Sequence, residues 1–512
     1  MKFSIFTSSV ILCLSLSTQA YYGNRSTEAT LTYTATADVL WDDSKAPEII
    51  KKPSHFKKTY KSKKSEWSEE FRQETQASPK ALFQLNTEGP MREKAIELVQ
   101  EQIQHLMGTF QSTSFKKEFS NFGVLGEQQN YYFDGKLHQN FNIVFTDAQT
   151  GTASGRITLI YRFTGKTVFD KGAFKKGPQV SVPIRLPLSP DLIYTQSLSK
   201  KEGEPFNYCT DSYYNSEGDF WYFWDPKLKG CKLASDKKKV LNINGQLKII
   251  PNSKNRYPNY KQLYGSNSNG KTLRVTILIG YIDELPSYKF GNTKDISYVN
   301  FNTIGRDLEN LGFTNLRDYN HYKDNFRITY SGQITKGSNF LRHYTNNIRT
   351  EDGRQVNVVV RMLLADTDIS STDRTFHDFL VPAFEESDVL IYDGHSGLGA
   401  NLDVAAFPDV KFNKNKYQLF FFNGCSSYSY YNGMFFEAKG GTRSLDIVNS
   451  GLQTSSDSTA QNANAFLKNI ISGKIESFGT ILKHLEQSNG ANNGTYLTGV
   501  TGELNENNQK PK

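Results

Sequence analysis

Two segments of this 512-residue chain each place a reactive side chain just after an apolar run and a glycine. In "YDGHSGLG", residues 392–399, that side chain is His395, and in "FFFNGCSSY", residues 420–428, it is Cys425. A cysteine thiolate is a strong nucleophile, and a nearby imidazole can accept or stabilise its proton. The pattern predicts a Cys/His pair for attack on a carbonyl group, against the simpler interpretation of two ordinary strand ends.

The first 20 residues, "MKFSIFTSSVILCLSLSTQA", have the composition of a secretory signal peptide. Lys2 supplies the positive start, and residues 5–16 form an apolar run that is too short to cross a bilayer. Thr18 and Ala20 are the small residues expected near a cleavage site. Because no later stretch is long and apolar enough for a membrane helix, we expect an exported protein, periplasmic or secreted, without a transmembrane segment.

If the signal peptide is removed during export, one of the three remaining cysteines has no obvious disulfide partner. Cys13 would leave with the signal peptide, and Cys209 and Cys231 flank a compact loop of aromatic and turn residues. These two are natural partners for a disulfide in an oxidising compartment. Cys425 is then the leftover thiol, which is either a reactive group or a buried, inert side chain.

The excess of positive charge is local. The chain has 60 Lys+Arg against 52 Asp+Glu, and residues 51–64 alone hold seven lysines and no acidic residue. This segment is interpreted either as a solvated linker, which we favour, or as an arm that contacts anionic surfaces. No nucleic-acid recognition motif and no His-Glu-x-x-His zinc motif occur, so we expect no nucleic-acid partner, no metal and no cofactor.

Composition divides the part of the chain that precedes the His395 and Cys425 segments into several regions. After the signal peptide, residues 21–90 are predicted to be one strand followed by the Lys-rich linker. Residues 91–250 are predicted to form a strand-rich α+β domain that opens with an amphipathic helix over 92–108. The Asn-, Ser-, Pro- and Gly-rich residues 251–271 are predicted to be an interdomain linker.

From residue 272 to residue 490, continuous apolar strands alternate with helices, which predicts an α/β domain with a mainly parallel sheet flanked by helices. Residues 491–512 are predicted to be a flexible tail. His395 and Cys425 both follow the C-terminal end of a strand, which is the edge where such sheets bind ligands. Backbone N–H groups of Cys425 and of Ser396 or Gly397 are suited to stabilise an oxyanion there.

The blocks "VLIYDGHSG" and "LFFFNGCSS" resemble those of the caspase-, gingipain- and legumain-like cysteine peptidases, in which successive strands end in the catalytic His and Cys. The resemblance covers about residues 272–485 and implies a caspase-like fold and an exported endopeptidase that acts on polypeptides. Two features differ from the family pattern. Ser396 follows the histidine where glycine is usual, and the 30 residues between His395 and Cys425 are fewer than the ~50 of caspases.

The resemblance also implies a role for each site residue. Cys425 would attack the scissile carbonyl, and His395 would act as general acid and base. Asp393 shares a strand face with His395 and is a candidate to orient the imidazole, although the family usually needs no third member. Asn423 would face the pocket for the substrate residue before the scissile bond. The residues that would border this pocket are Gln453, Thr454, Ser455, Ser456 and Asp457.

Two questions stay open at the level of sequence. The alternative to the peptidase is a catalytically inactive, caspase-like secreted protein that serves in binding or assembly, which the serine at position 396 favours. The N-terminal half is a pro-domain, a substrate-binding domain or an attachment module.

Overall fold

A computed structural model describes most of the chain, in two large β-sheets with helices packed against them and a two-stranded sheet of β4 and β5. The described residues are 20–22, 26–41, 85–119, 123–125, 131–133, 136–139, 141–150, 156–196, 209–210, 221, 224–233, 236, 238–251, 256–265, 271–282, 294–316, 340–367, 375–404, 407, 410–452, 454, 459–488 and 498–502.

The strands of the first half are β1 (Ala20–Tyr22), β2 (Ser26–Leu40), β3 (Gly123–Leu125), β4 (Tyr131–Phe133), β5 (Lys136–His138), β6 (Phe141–Thr150), β7 (Arg156–Asp170), β8 (Gln179–Pro187) and β9 (Val240–Ile249). Its helices are α1 (Pro90–Gln111), α2 (Thr113–Phe119) and α3 (Pro190–Gln196).

The strands of the second half are β10 (Thr272–Gly280), β11 (Thr314–Asn315), β12 (Leu341–Arg349), β13 (Gln355–Ala365), β14 (Val389–Asp393), β15 (Gln418–Phe422), β16 (Leu445–Ser450) and β17 (Thr498–Gly502). Its helices are α4 (Tyr260–Tyr264), α5 (Ile296–Asn310), α6 (Thr375–Glu386), α7 (Gly433–Lys439), α8 (Thr459–Ile471) and α9 (Phe478–Ser488).

The larger sheet has nine strands in the order β1-β17-β16-β15-β14-β10-β13-β12-β11. The five strands from β16 to β13 are parallel, and antiparallel strands complete both edges. Alternate strand residues pack on opposite sides: Leu419 and Phe421 lie among α4, α5, α8 and α9, while Phe420 and Phe422 lie among α6 and α7. Burial on both faces explains the continuous apolar runs and confirms the predicted α/β class with a mostly parallel sheet.

The smaller sheet is antiparallel, in the order β3-β7-β2-β9-β8, with β6 also paired to β7. Along β2, every second side chain from Ala29 to Val39 is buried, which is the alternation of a strand with one face on the core. Helix α1 supplies Ile96, Val99 and Ile103 to that core, so the helix predicted over 92–108 is present.

Three segments lie differently in this topology from their predicted places. The strand predicted within residues 21–90 is β2, and it lies inside the smaller sheet, between β7 and β9, so it belongs to the same sheet as strands from residues 91–250. The predicted linker 251–271 contains α4, whose Tyr260, Leu263 and Tyr264 are buried because apolar residues at helical spacing outweigh the linker-like composition around them. The predicted tail contains β17, which pairs with β16 and β1.

The predicted disulfide between Cys209 and Cys231 is confirmed, and Cys425 is a free cysteine. A disulfide is consistent with export. Across the described ranges, no helix is both long enough and apolar enough to cross a membrane. The predicted signal peptide up to residue 19 and the Lys-rich segment 51–64 lie outside the described residues.

Because two histidines are buried, we expect acid to destabilise the fold. Burial lowers the pKa of His105 and of His343 to about 3, so both are neutral when folded and protonate on unfolding. Their stabilisation is complete above the unfolded pKa of about 6.5 and is lost as pH falls towards the folded value. Each should reduce the free energy of unfolding by about 1.4 kcal/mol per pH unit in this window.

Denaturant titrations of the wild type and of His105→Gln from pH 7 to pH 4 measure this contribution. The difference in unfolding free energy between the two proteins should shrink as pH falls below 6.5, because the glutamine does not titrate. Parallel curves would contradict the assignment.

Candidate active site

Strands β14 and β15 are parallel neighbours, and Tyr392 pairs with Phe422 at their C-terminal ends. His395 and Cys425 stand equally far beyond this pair, so the register brings both to the same edge of the sheet. The two turns touch: a Cβ atom added at Gly424 would lie 3.0 Å from the carbonyl oxygen of Gly394 and 3.5 Å from the amide nitrogen of Ser396. Glycine at position 424 therefore permits the close approach of the histidine turn and the cysteine turn.

The residue after Cys425 has an unusual backbone conformation. Ser426 has φ 51° and ψ 29°, and it is the sole non-glycine residue with positive φ among the described residues. A left-handed conformation costs an L-residue about 1–2 kcal/mol, and such strain is concentrated at functional sites. A hydrogen bond from the Ser426 amide to the Leu452 carbonyl, 3.1 Å long, helps to hold it.

The imidazole of His395 is oriented by a backbone carbonyl. Its Nε2 lies 2.8 Å from the oxygen of Ile282, which follows strand β10. A carbonyl oxygen only accepts, so Nε2 carries the hydrogen and Nδ1 is left to take up a proton. The predicted orienter, Asp393, instead accepts a hydrogen bond from Asn423 at 3.4 Å.

The thiol of Cys425 is held by Thr454, one of the residues predicted to border the pocket. Sγ lies 3.7 Å from the Thr454 carbonyl oxygen and 3.6 Å from its Oγ1. Burial raises the pKa of Cys425 and the negative charge of Asp393 adds to this, although the bonds to Thr454 act in the opposite direction. The thiol is therefore protonated at neutral pH. Among the described residues, it bonds to Thr454 and not to His395.

The turn after His395 presents backbone amides. The N–H groups of Ser396 and Gly397 donate to no acceptor within the described residues. The turn itself is fixed through its carbonyl groups, since the Ser396 carbonyl accepts from the Tyr431 hydroxyl at 2.6 Å and the His395 carbonyl accepts from Asn401 Nδ2 at 2.9 Å. Two amides in a fixed turn beside a thiol are suited to stabilise an oxyanion.

Asn423 lies beneath the site rather than on an open surface. Its side chain is completely buried and donates to Asp393, while Asn462 of α8 donates to its Oδ1 at 3.3 Å. Ser488 of α9 in turn donates to Asn462 at 2.8 Å. The remaining predicted pocket residues, Gln453, Ser455, Ser456 and Asp457, lie outside the described residues.

Neither a protein-family model nor a curated protein matches this chain. The function of this protein is therefore inferred from the geometry of the site.

The bond between Cys425 and Thr454 gives a direct prediction. Because the Thr454 hydroxyl lowers the pKa of Cys425, replacing it by Thr454→Val should raise that pKa and slow alkylation of the thiol at neutral pH. The pH profile of iodoacetamide labelling measures the change. Thr454→Ser keeps the hydroxyl and should follow the wild type, and a Thr454→Val profile shifted towards acid would contradict the assignment.

Proposed function

We propose that this protein is an exported cysteine endopeptidase of the caspase-, gingipain- and legumain-like type, with Cys425 as nucleophile and His395 as general acid and base. The observation that carries the proposal is the contact of the two turns at Gly424, beside an imidazole whose Nδ1 is left to accept a proton. A nucleophile, a base with a fixed tautomer and backbone donors are the parts that acyl transfer requires.

The reaction follows from these positions. The Cys425 thiol exchanges Thr454 for His395, gives its proton to Nδ1, and forms a bond from Sγ to the scissile carbonyl carbon. The amides of Ser396, Gly397 and Cys425 stabilise the oxyanion. His395 then returns the proton to the leaving amine as the C–N bond breaks. Water attacks the acyl-enzyme with His395 as base, which releases the acid and restores the thiol.

The raised pKa of Cys425 favours proton transfer during attack over an ion pair formed beforehand. A thiol that stays protonated at rest is a weak nucleophile until His395 removes its proton. Reactivity should therefore depend on His395 more strongly than in an enzyme with a resting thiolate.

Serine at position 396 favours the binding-protein alternative only if that position requires glycine, and its backbone conformation does not require glycine. Ser396 has φ −76° and ψ −18°, a right-handed conformation open to any residue. The conformation that favours glycine is one position later, at Gly397 with φ 55°, where glycine is present. The bond of the resting thiol to Thr454 is the observation that still favours the alternative.

Labelling of Cys425 separates the two functions without knowledge of the substrate. At pH 7, we expect His395→Ala to slow iodoacetamide labelling of Cys425 at least about tenfold, although the raised pKa keeps wild-type labelling slower than that of a free thiol. His484→Ala is the matched control, since His484 of α9 bonds to Asn469 of α8. Labelling that is independent of His395, together with no cleavage of an unfolded protein substrate, would support the binding protein.

A further inference from the structure

We infer that the N-terminal unit is a permanent positioning part of the active site, and that it acts on the segment immediately after Cys425. This unit comprises the smaller sheet, the β4–β5 pair and helix α1, and the segment it contacts is 426–437. The inference rests on the proposed function, and it excludes a pro-domain that leaves the mature enzyme.

The first contact comes from the central strand of the smaller sheet. The hydroxyl of Tyr428 donates to Glu28 Oε1 at 3.3 Å, across 400 residues of sequence. Glu28 is 3% exposed and also pairs with Lys166 of β7, at 3.4 Å. A buried carboxylate shared between a lysine of its own sheet and a tyrosine of the other unit ties the two units at one point.

The second contact comes from the C-terminal end of α1. Gln111 donates to the hydroxyl of Ser426 at 3.4 Å, and the hydroxyl of Tyr430 lies 3.5 Å from the sulfur of Met107. Met107 is fully buried in the apolar cluster that contains Phe422, at the end of β15. One helix of the N-terminal unit therefore contacts the strained residue after Cys425 and packs in the same apolar cluster as the strand end before it.

The third contact lies at the end of the segment. His138 of β5 is 3.5 Å from Glu437 of α7, on the outer side of the same region. All three contacts fall within residues 426–437, between the nucleophile and the end of its following helix. They fix the chain at and after Ser426, the left-handed residue that follows Cys425.

The chain path also opposes removal of this unit. β1 belongs to the larger sheet, at the edge beside β17, whereas β2 is an internal strand of the smaller sheet. Cutting the chain within residues 51–64 would leave β2 paired with β7 and β9. A nicked protein would therefore keep both pieces.

The test measures Cys425 labelling with iodoacetamide at pH 7, which requires no substrate. The variant Gln111→Ala/Tyr428→Phe removes two of the polar contacts, and we expect it to label about tenfold more slowly with the pH profile shifted. Gln149→Ala, on an exposed position of β6, is the matched glutamine control and should not change the rate. Thermal unfolding confirms that each variant is folded.

Ser426→Gly distinguishes positioning from general loss of structure. Glycine adopts the left-handed conformation without the steric cost, so the loss caused by Tyr428→Phe, whose bond to Glu28 does not involve Ser426, should fall to less than about twofold in the Ser426→Gly background. If His395→Ala slows labelling but Gln111→Ala/Tyr428→Phe labels as fast as the wild type, this inference alone is overturned. If wild-type labelling is independent of His395, the proposed function and the inference with it are overturned.

Discussion

Replacing Cys425 with alanine is expected to reduce peptide hydrolysis by at least about 10³-fold, because no acyl-enzyme can form without the thiol. The change removes one sulfur atom and its long contacts with Thr454, so the unfolding temperature should change little. Turnover of an unfolded protein substrate, followed by mass spectrometry of the fragments, measures the loss. Cys425→Ser tests the chemistry more finely, since a hydroxyl of similar size is a far weaker nucleophile at this site.

The histidines provide the comparison for this experiment. His395→Ala should approach the loss of Cys425→Ala, since the two residues act as one unit, and the double variant should lose little more. His484→Ala should keep wild-type turnover. If Cys425→Ala kept more than about a tenth of the activity, another nucleophile would be responsible and the proposed mechanism would be wrong.

Gly108→Ala is expected to destabilise the protein by at least about 2 kcal/mol. Gly108 lies in α1, and a Cβ added there would lie 2.2 Å from the backbone nitrogen of Trp224 and 2.6 Å from the backbone oxygen of Trp221. Backbone atoms near the disulfide cannot move aside as a side-chain tip can. In an unobstructed helix the same change stabilises by about 1 kcal/mol, so the sign of the effect tests the packing.

Gly305→Ala, in α5, is the matched comparison. The atoms in its way are the hydroxyl of Tyr344 and the guanidinium of Arg342, both at the ends of side chains. These can shift, so the loss of stability should be smaller than at Gly108. Denaturant midpoints of the two variants measure the difference, and a stabilising Gly108→Ala would show that α1 does not approach Trp224 as closely as the structure shows.

The proximity of the His395 and Cys425 turns could be predicted from sequence because it depends on local patterns. An apolar run ending in a glycine and a reactive residue identifies a buried strand and its end, and parallel neighbours place such ends on one edge. The order β15-β14-β10 then brings the turns of His395 and Cys425 into contact at Gly424. The free thiol followed from counting cysteines.

The residues that bond to His395 and to Asn423 could not be predicted in the same way. The carbonyl of Ile282 orients His395, yet a backbone group leaves no signal in residue type. Asn462 and Ser488 complete the buried network under Asn423, and the one available signal was a polar residue on the buried face of an amphipathic helix. The contacts of Glu28 and Gln111 join residues hundreds of positions apart, which no local pattern encodes.

Periodicity and residue chemistry act over short stretches of chain, so they were enough to predict the α/β class of the second half, the disulfide, and the placement of His395 and Cys425 at strand ends. The surroundings of those residues depend on the complete fold. Burial and Thr454 set the state of the thiol, the Ile282 carbonyl sets the tautomer of the histidine, and the N-terminal unit packs against the segment that follows the nucleophile. These properties depend on distances between atoms that are remote in sequence, and folding alone brings such atoms together.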